Sequence, residues 1–283
     1  MGKQIAIVTG ASSGFGLLTT IELAKSGFDV IATMRNMDKE SNFRTVTKDK
    51  SLLQKIHVHQ LDVTDPTSVE KLKQKVSSLH QVDVLVNNAG FGMGGFAEEI
   101  TIDAYRRQFE TNVFGVMAVT QAVLPKMREQ GAGKIIQVSS VSGRMGFPGL
   151  SPYVSSKHAL EGYSESLRLE LEEFGVQVAL VEPGSYSTNI WSSGMEIAGD
   201  YNQASPYQKA MEGMLSILES SKPNHGDPIE VAQLICSLVM KKNIRKLRYP
   251  IGKGLKATMI IKSVLPWRWW EKAVTAIIQK NNK

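Results

Sequence analysis

The sequence predicts an α/β protein: a doubly wound parallel sheet with helices on both faces, folded as a single domain over residues 1–283. Three observations support this. Short apolar runs of strand length alternate with longer runs whose apolar residues recur every three or four positions. The central short runs are apolar at nearly every position, as strands covered on both faces must be. No linker or short-period repeat interrupts the chain.

The elements follow in order. Gln4 to Val8 is a short strand, Thr9 to Phe15 a glycine-rich turn, and Gly16 to Ser26 a helix carrying Leu17, Leu18, Ile21 and Ala24, stopped by Gly27. Asp29 to Met34 is the second strand and Lys55 to Leu61 the third. Thr64-Asp65-Pro66 opens a helix with Val69, Leu72, Val76 and Leu79 on one face. Val82 to Val86 is the fourth strand, a long helical stretch runs from about Thr101 to Arg128, and Lys134 to Val138 is the fifth strand. Ser151 caps the next helix, with Pro152 at its first position and Ala159, Leu160, Tyr163, Leu167, Leu171 and Phe174 on one face until Gly175. Val176 to Val181 is the sixth strand.

Hydrophobic residues at 42% and charged residues at 21% describe an ordinary globular chain and exclude collagen-like and low-complexity classes. Cys236 is the single cysteine, which excludes an intrachain disulfide or a cysteine-built zinc site and points to a reducing compartment. The N-terminus has no charged region and cleavage site of a secretory signal, and no run approaches the roughly 18 apolar residues of a membrane span. A cytoplasmic protein is therefore expected. Charge is uneven: Lys241 to Lys283 carries 12 basic residues against Glu271, a net of +11 that leaves −5 for the body of the chain. Such a block can meet nucleic acid, an anionic membrane surface or acidic substrates, and Trp267, Trp269 and Trp270 suit an interface. Lys241, Lys246, Lys253 and Lys262 fall among turns and not on one helical face, so the reading adopted is a solvated basic surface with core-anchoring tryptophans, with no nucleic-acid partner and membrane contact not favoured.

Thr9-Gly10-Ala11-Ser12-Ser13-Gly14-Phe15-Gly16 joins the first strand to the first helix, where backbone N–H groups and the helix dipole can hold a pyrophosphate. Plain turn glycines are the competing reading. Gly10-x-Ser12-x-Gly14 also spells a nucleophile elbow, but the nine residues upstream leave no strand or loop for a second oxyanion donor. No Lys-Ser or Lys-Thr follows Gly14, which excludes a Walker loop. The second strand ends Ala32-Thr33-Met34-Arg35-Asn36 without an acid at its tip. Arg35 offers a donor fork suited to a 2′-phosphate, with the Ser12 hydroxyl as second donor, so NADP(H) is expected over NAD(H) unless Arg35 is a solvated loop arginine.

The fifth strand leads into Ser139-Ser140, and the capped helix opens with Tyr153-Val154-Ser155-Ser156-Lys157. A spacing of four sets Tyr153 and Lys157 on one helical face. An ammonium about 4 Å from a phenol contributes on the order of 4 kcal/mol at an effective dielectric near 20, enough to bring a phenol of pKa about 10 toward neutrality. An exposed helical pair is the alternative, but this helix follows the carboxyl end of a strand, where open α/β sheets place their ligands.

Thr9-Gly10-x-x-x-Gly14-x-Gly16, Asn87-Asn88-Ala89-Gly90, Asn112, Ser140, Tyr153-x-x-x-Lys157 and Pro183-Gly184 occur in the order of the short-chain dehydrogenase/reductase family, and over roughly residues 1 to 190 the chain resembles that family. Met34-Arg35, Gly146-Phe147-Pro148-Gly149 and the long basic C-terminus resemble its hydroxysteroid and retinol dehydrogenase branch. The resemblance implies a Rossmann-type sheet of seven strands ordered 3-2-1-4-5-6-7, with a C-terminal substrate-loop extension: a lid over residues 185–228 and a basic segment over 241–283. Strand three would then be an edge, and Ile56-His57-Val58-His59-Gln60 alternates as an edge permits; no metal is expected at its histidines.

The resemblance further implies that Tyr153 gives its proton to a carbonyl during reduction and acts as a phenolate base during alcohol oxidation. Lys157 would lower the tyrosine pKa and bond the nicotinamide ribose, Ser140 would donate to the substrate oxygen, and Asn112 would hold a water linking Lys157 to solvent. Gly10, Ser12, Ser13, Gly14, Phe15, Gly16 and Arg35 would bind the phosphate end, Asp62 the adenine, and Pro183, Gly184 and Thr188 the carboxamide end; Asn88, Ala89 and Gly90 would also bind the cofactor, with Asn88 bracing strand four. A homodimer or homotetramer follows as the family's habit, with the helix after Tyr153 a candidate interface. Ile190, Trp191, Met195, Met211, Met214, Leu215 and Leu218, with Phe91, Met93, Met145, Phe147 and Leu150, line an apolar pocket for a lipophilic carbonyl or alcohol, or are ordinary core. A silent NADP-binding sensor and a membrane-surface lipid-binding protein are the readings from other classes.

Overall fold

The computed structural model describes residues 2–188, 195–199 and 205–281. β1 (Ile5–Val8) runs through the glycine turn into α1 (Gly14–Lys25), and Gly27, at φ 99°, turns the chain back into β2 (Asp29–Met34) in a conformation that glycine adopts without strain. Two short helices, α2 (Asn42–Val46) and α3 (Lys50–Leu53), precede β3 (Ile56–Gln60). α4 (Pro66–Ser78) begins where its capping signal places it: the Asp65 carboxylate accepts from the Thr67 N–H at 2.9 Å and Pro66 follows. β4 (Val84–Asn87) and a short β5 (Gly92–Gly94) lead to α5 (Ile102–Phe109) and α6 (Gly115–Gln130). β6 (Gly133–Val138), α7 (Ser151–Glu170) and β7 (Val176–Pro183) follow. Beyond them lie β8 (Met195–Ile197), α8 (Gln208–Ser221), α9 (Pro228–Met240), β9 (Arg248–Ile251), α10 (Leu255–Val264) and α11 (Trp267–Asn281).

Seven of these strands form one parallel sheet in the order β3-β2-β1-β4-β6-β7-β9, the expected Rossmann-type arrangement, with β3 at an edge. β9 is the seventh strand, which no sequence pattern located; β5 and β8 pair separately. Alternate side chains of the strands enter two cores. Val8, Val30, Val86, Ile136 and Val181 meet Leu17 and Ile21 of α1 and Val231 and Ile235 of α9 on one face. Ile7, Ile31, Leu85, Ile135 and Val178 meet Leu72 and Val76 of α4, Val119 and Val123 of α6, and Leu167 of α7 on the other.

Three expectations need correction. The single helix expected from Thr101 to Arg128 is two helices joined by a widened π-type turn over Glu110–Phe114, which carries Asn112 inward. Ser151 is the first residue of α7 and not its cap; its hydroxyl is hydrogen-bonded to that of Tyr105 at 2.6 Å. Trp267 and Trp269 do not anchor a core: both are exposed, because α11 lies outside the sheet and packs on α8, with Trp270 half-buried.

Candidate active site

The strand order reverses between β1 and β4, and the loops leaving the carboxyl ends on either side of such a switch point form a crevice. A cleft of about 1000 Å³ opens there. Its walls include Gly10, Ser12, Ser13, Gly14 and Phe15, then Arg35 after β2, Asp62 after β3, Asn88, Ala89 and Gly90 after β4, and Thr188 after β7. The glycine turn is shaped by close approach. Gly10 and Gly14 sit at φ 67° and 53°, and a Cβ on Gly16 would stand 2.4 Å from both the Gly10 carbonyl and the Asn88 amide. Asn88 ties this turn to β4, its Nδ2 donating to the carbonyls of Thr9 (2.9 Å) and Gly10 (3.2 Å), while the Thr9 hydroxyl accepts from the Asn88 and Ala89 N–H groups. Ser13 stands at the N-cap of α1 without a side-chain capping bond, and with Gly14 and Phe15 it lines the cleft at a helix N-terminus, whose first-turn N–H groups have no partner within the helix. The Asp62 carboxylate accepts from the N–H and hydroxyl of Thr64.

Lys39, Asn36, Thr64 and Thr111 also line the cleft and were missed by sequence reasoning. Lys39 is the notable omission, a second cation on the wall that holds Arg35. It lies on a short turn of helix at 37–41 that carries no periodic signal.

Ser140, Tyr153, Lys157 and Asn112 are buried and do not themselves line that cleft. Ser140 leaves the end of β6 and caps a turn, accepting from the Ser142 N–H at 3.1 Å. The first turn of α7 brings the Tyr153 hydroxyl into a hydrogen bond with Ser140. Lys157 lies one turn on, as its spacing requires, but its amine donates to the Val138 carbonyl at 2.8 Å and stands 5.8 Å from the centre of the Tyr153 ring. The consequence differs from the simple pair expected above. Burial pushes the Tyr153 phenol up to about 12, with the Ser140 bond pulling the other way, and burial pulls Lys157 down to about 8 against the attraction of Glu161. The phenol is therefore protonated at neutral pH here, not near its titration point. Asn112 accepts from the Phe91 N–H through Oδ1 (3.1 Å) and donates through Nδ2 to the Phe91 carbonyl (3.0 Å) and Ser156 hydroxyl (3.2 Å), so its side chain joins the loop after β4 to α7. Pro183 and Gly184 end β7, where the Gly184 N–H donates to Ile251 of β9 at 2.9 Å.

A second layer lies behind these groups. Tyr153, Lys157, Glu161 and Glu165 follow one another at four-residue steps along α7. Glu161 and Glu182 of β7 are both buried, and Arg248 of β9 joins them: its Nε lies 2.8 Å from Glu161 and 3.7 Å from Glu182, while its Nη2 holds Glu165 at 2.8 Å. Arg144 reaches Glu182 at 3.4 Å. Burial and the neighbouring Glu161 carboxylate push Glu182 up to about 7, against the two arginines. The four-residue period on α7 was legible; the arrival of Glu182 and Arg248 was not, because it depends on strand pairing.

Comparison with known proteins places this arrangement. Residues 4–196 match the model of the short chain dehydrogenase family. The chain is 51% identical over 275 residues to the oxidoreductase YusZ of Bacillus subtilis, covering 96% of this chain and 97% of that protein. It is 38% identical over 244 residues to the 3-ketodihydrosphingosine reductase of Bacteroides thetaiotaomicron (86% of each chain) and 39% identical over 190 residues to human retinol dehydrogenase 8 (66% of this chain, 60% of that protein). Among solved structures, a short-chain dehydrogenase from Streptomyces avermitilis superposes with a TM-score of 0.79 at 31% identity, covering 98% of both chains. ElxO with NADP bound superposes with a TM-score of 0.74 at 26% identity, covering 90% of this chain and all of that one.

Proposed function

The chain belongs to the short-chain dehydrogenase/reductase family of oxidoreductases, and from that premise we propose that it interconverts a carbonyl and an alcohol on a lipophilic small molecule with NADP(H), using Tyr153 as acid and base. One observation carries the reading: the hydrogen-bonded Ser140 and Tyr153, with the Lys157 amine beneath the ring, at the carboxyl end of a sheet whose neighbouring cleft has the form of a dinucleotide site. The residues fit that cofactor. The glycine turn along the cleft, the helix N-terminus at Ser13, and Arg35 on a wall without an acid at the β2 tip suit a pyrophosphate and a 2′-phosphate. When bound, NADP(H) gives or takes the hydride.

The chain's own residues do the rest. Tyr153 gives the proton from its hydroxyl to the carbonyl oxygen, Ser140 donates to that oxygen as negative charge develops, and Lys157 holds positive charge beneath the phenol. A phenol held near 12 is protonated at neutral pH, the form that donates to a carbonyl oxygen, and the phenolate that serves alcohol oxidation grows as pH rises. The lid proposed at residues 185–228 is described at 185–188, 195–199 and 205–228. Met211 of α8 is buried, and a Cβ on Gly149, four residues before Tyr153, would lie 2.5 Å from the Met214 sulfur. Ile190 and Trp191, expected in the same pocket, lie outside the described residues. The lipophilic substrate class draws on the apolar character of this region and on the names of the sphingoid-base and retinol relatives. Self-assembly through α7, where Leu169 is exposed, and a cytoplasmic location belong to the same reading; among the described residues no helix is long and apolar enough to cross a membrane.

Replacing Tyr153 with Phe tests the proposal. Turnover should fall at least about 10²-fold, the lower end for a lost acid-base group, while NADPH binding, followed by quenching of protein fluorescence, stays within a few fold. Retained turnover across aliphatic, aromatic and steroidal carbonyls would reject the mechanism.

A further inference from the structure

The chain after β9 departs from the logic of the rest of the molecule. Along α10, Ala257, Ile260, Ile261 and Val264 recur at steps of three, one and three, one stripe of a helix, and such a stripe normally faces a core. Here it faces solvent. Leu255 on the opposite side is the buried residue, whereas Ile260 is 64% exposed and Val264 74%. The stripe continues round the corner at Pro266 into Trp267 (65% exposed) and Trp269 (69%) at the start of α11. Contiguous apolar surface of this kind marks an interaction site.

Charge identifies the partner. Lys253, Lys256, Arg268 and Lys272 are exposed around the stripe, and Glu271 is the one acid between residues 253 and 276. Arg248 just upstream is engaged inside the fold, with three carboxylates. The basic residues of α10 and α11 are not drawn in the same way: Lys262, which donates to the Arg144 carbonyl, fixes α10 to the body and leaves the opposite face outward. Exposed tryptophans beside aliphatic side chains and a cationic rim fit the boundary between lipid headgroups and acyl chains.

We propose that α10 and the start of α11 form a docking surface for an anionic lipid bilayer, with Ile260, Val264, Trp267 and Trp269 entering the headgroup layer and Lys256 and Arg268 meeting lipid phosphates. The surface is tied to the region over the active site. α11 packs on α8, and α8 lies over Gly149 in the segment before Tyr153. Docking therefore sets α8, which lies over the segment before Tyr153, beside the lipid phase, where an apolar substrate partitions. The attachment itself is independent of the hydride chemistry.

The test is flotation of the full chain with vesicles of phosphatidylcholine alone, and with about one third phosphatidylglycerol, at about 0.15 M salt. Expected are binding to the anionic vesicles, a blue shift of tryptophan emission on binding, and at least a tenfold loss of binding in the double variant Trp267→Ala/Trp269→Ala. Lys256→Glu/Arg268→Glu should remove the preference for anionic lipid. Both pairs should keep wild-type turnover of a short water-soluble carbonyl, which separates loss of docking from misfolding or loss of the proposed activity. Failure to float with either vesicle overturns the proposal. So does wild-type binding by the tryptophan variant, or a dimer in light scattering that this variant dissociates, which would show a second copy covering the face.

Discussion

α1 and α10 are short helices with similar apolar spacing, and they face opposite ways. α1 carries Leu17, Ile21, Leu23 and Ala24 into the core on one face of the sheet, packed against the strands and its neighbour α9. α10 buries Leu255 and turns its remaining aliphatic stripe outward. The difference lies in what each has to cover. α1 sits over central strands, whose apolar side chains would otherwise meet water. α10 begins beyond β9, the last strand of the sheet, where little sheet surface remains. Since a short helix gains most of its stability from the surface it covers, apolar spacing announces a helix without saying whether its partner belongs to the same molecule.

The largest expected effect breaks this comparison most directly. Ile21→Ala removes a buried side chain from α1 and should lower unfolding free energy by about 2–5 kcal/mol, whereas Ile260→Ala, at an exposed helical position, should stay within about 0.5 kcal/mol. Urea denaturation of both variants measures it. Equal losses would mean that α10 covers part of the fold after all.

The next effect is in the cleft. Arg35→Ala should raise KM for NADPH ten- to a hundredfold and leave KM for NADH nearly unchanged, since a charged hydrogen bond to phosphate is worth about 1.5–3 kcal/mol. An unchanged ratio of the two constants would move the role to Lys39 on the same wall.

The same contrast explains what the sequence disclosed. β1, β4 and β7 are apolar at most positions and α4 has a capping signal, so a parallel sheet with helices on both faces could be read directly. β9 could not: Arg-Tyr-Pro-Ile is four half-buried residues in a basic stretch, held as a strand by pairing with β7 from Leu180 to Pro183. At the site, spacing gave Tyr153 and Lys157 a common face, but the rotamer of Lys157 is set by the Val138 carbonyl, a partner 19 residues away that spacing cannot supply. Local periodicity likewise ran α5 and α6 together, because the widened turn that carries Asn112 inward depends on its bonds to Phe91 and Ser156.

The smallest effect concerns the seam between the sheet and the C-terminal segment, where Arg248 of β9 reaches the buried Glu161 and Glu182. Burial and Glu161 raise Glu182 from an ordinary 4.5 to about 7, so the folded protein holds a proton there that the unfolded chain releases. Between those values the native state binds more protons than the unfolded state, and linkage then requires stability to fall as pH rises. This contribution is complete below pH 4.5 and lost by the time pH passes about 7, with a slope of at most about 1.4 kcal/mol per pH unit for one proton. Glu182→Gln keeps the shape of the neutral acid and cannot ionise. Its stability should therefore decline less than that of the wild type between pH 5 and pH 7, within the interval between the unfolded 4.5 and the folded value of about 7. Thermal unfolding of both proteins across that range measures the difference. Parallel curves would mean that Arg144 and Arg248 already hold Glu182 as a carboxylate, and that β9 joins the sheet through an ion pair and not through a shared proton.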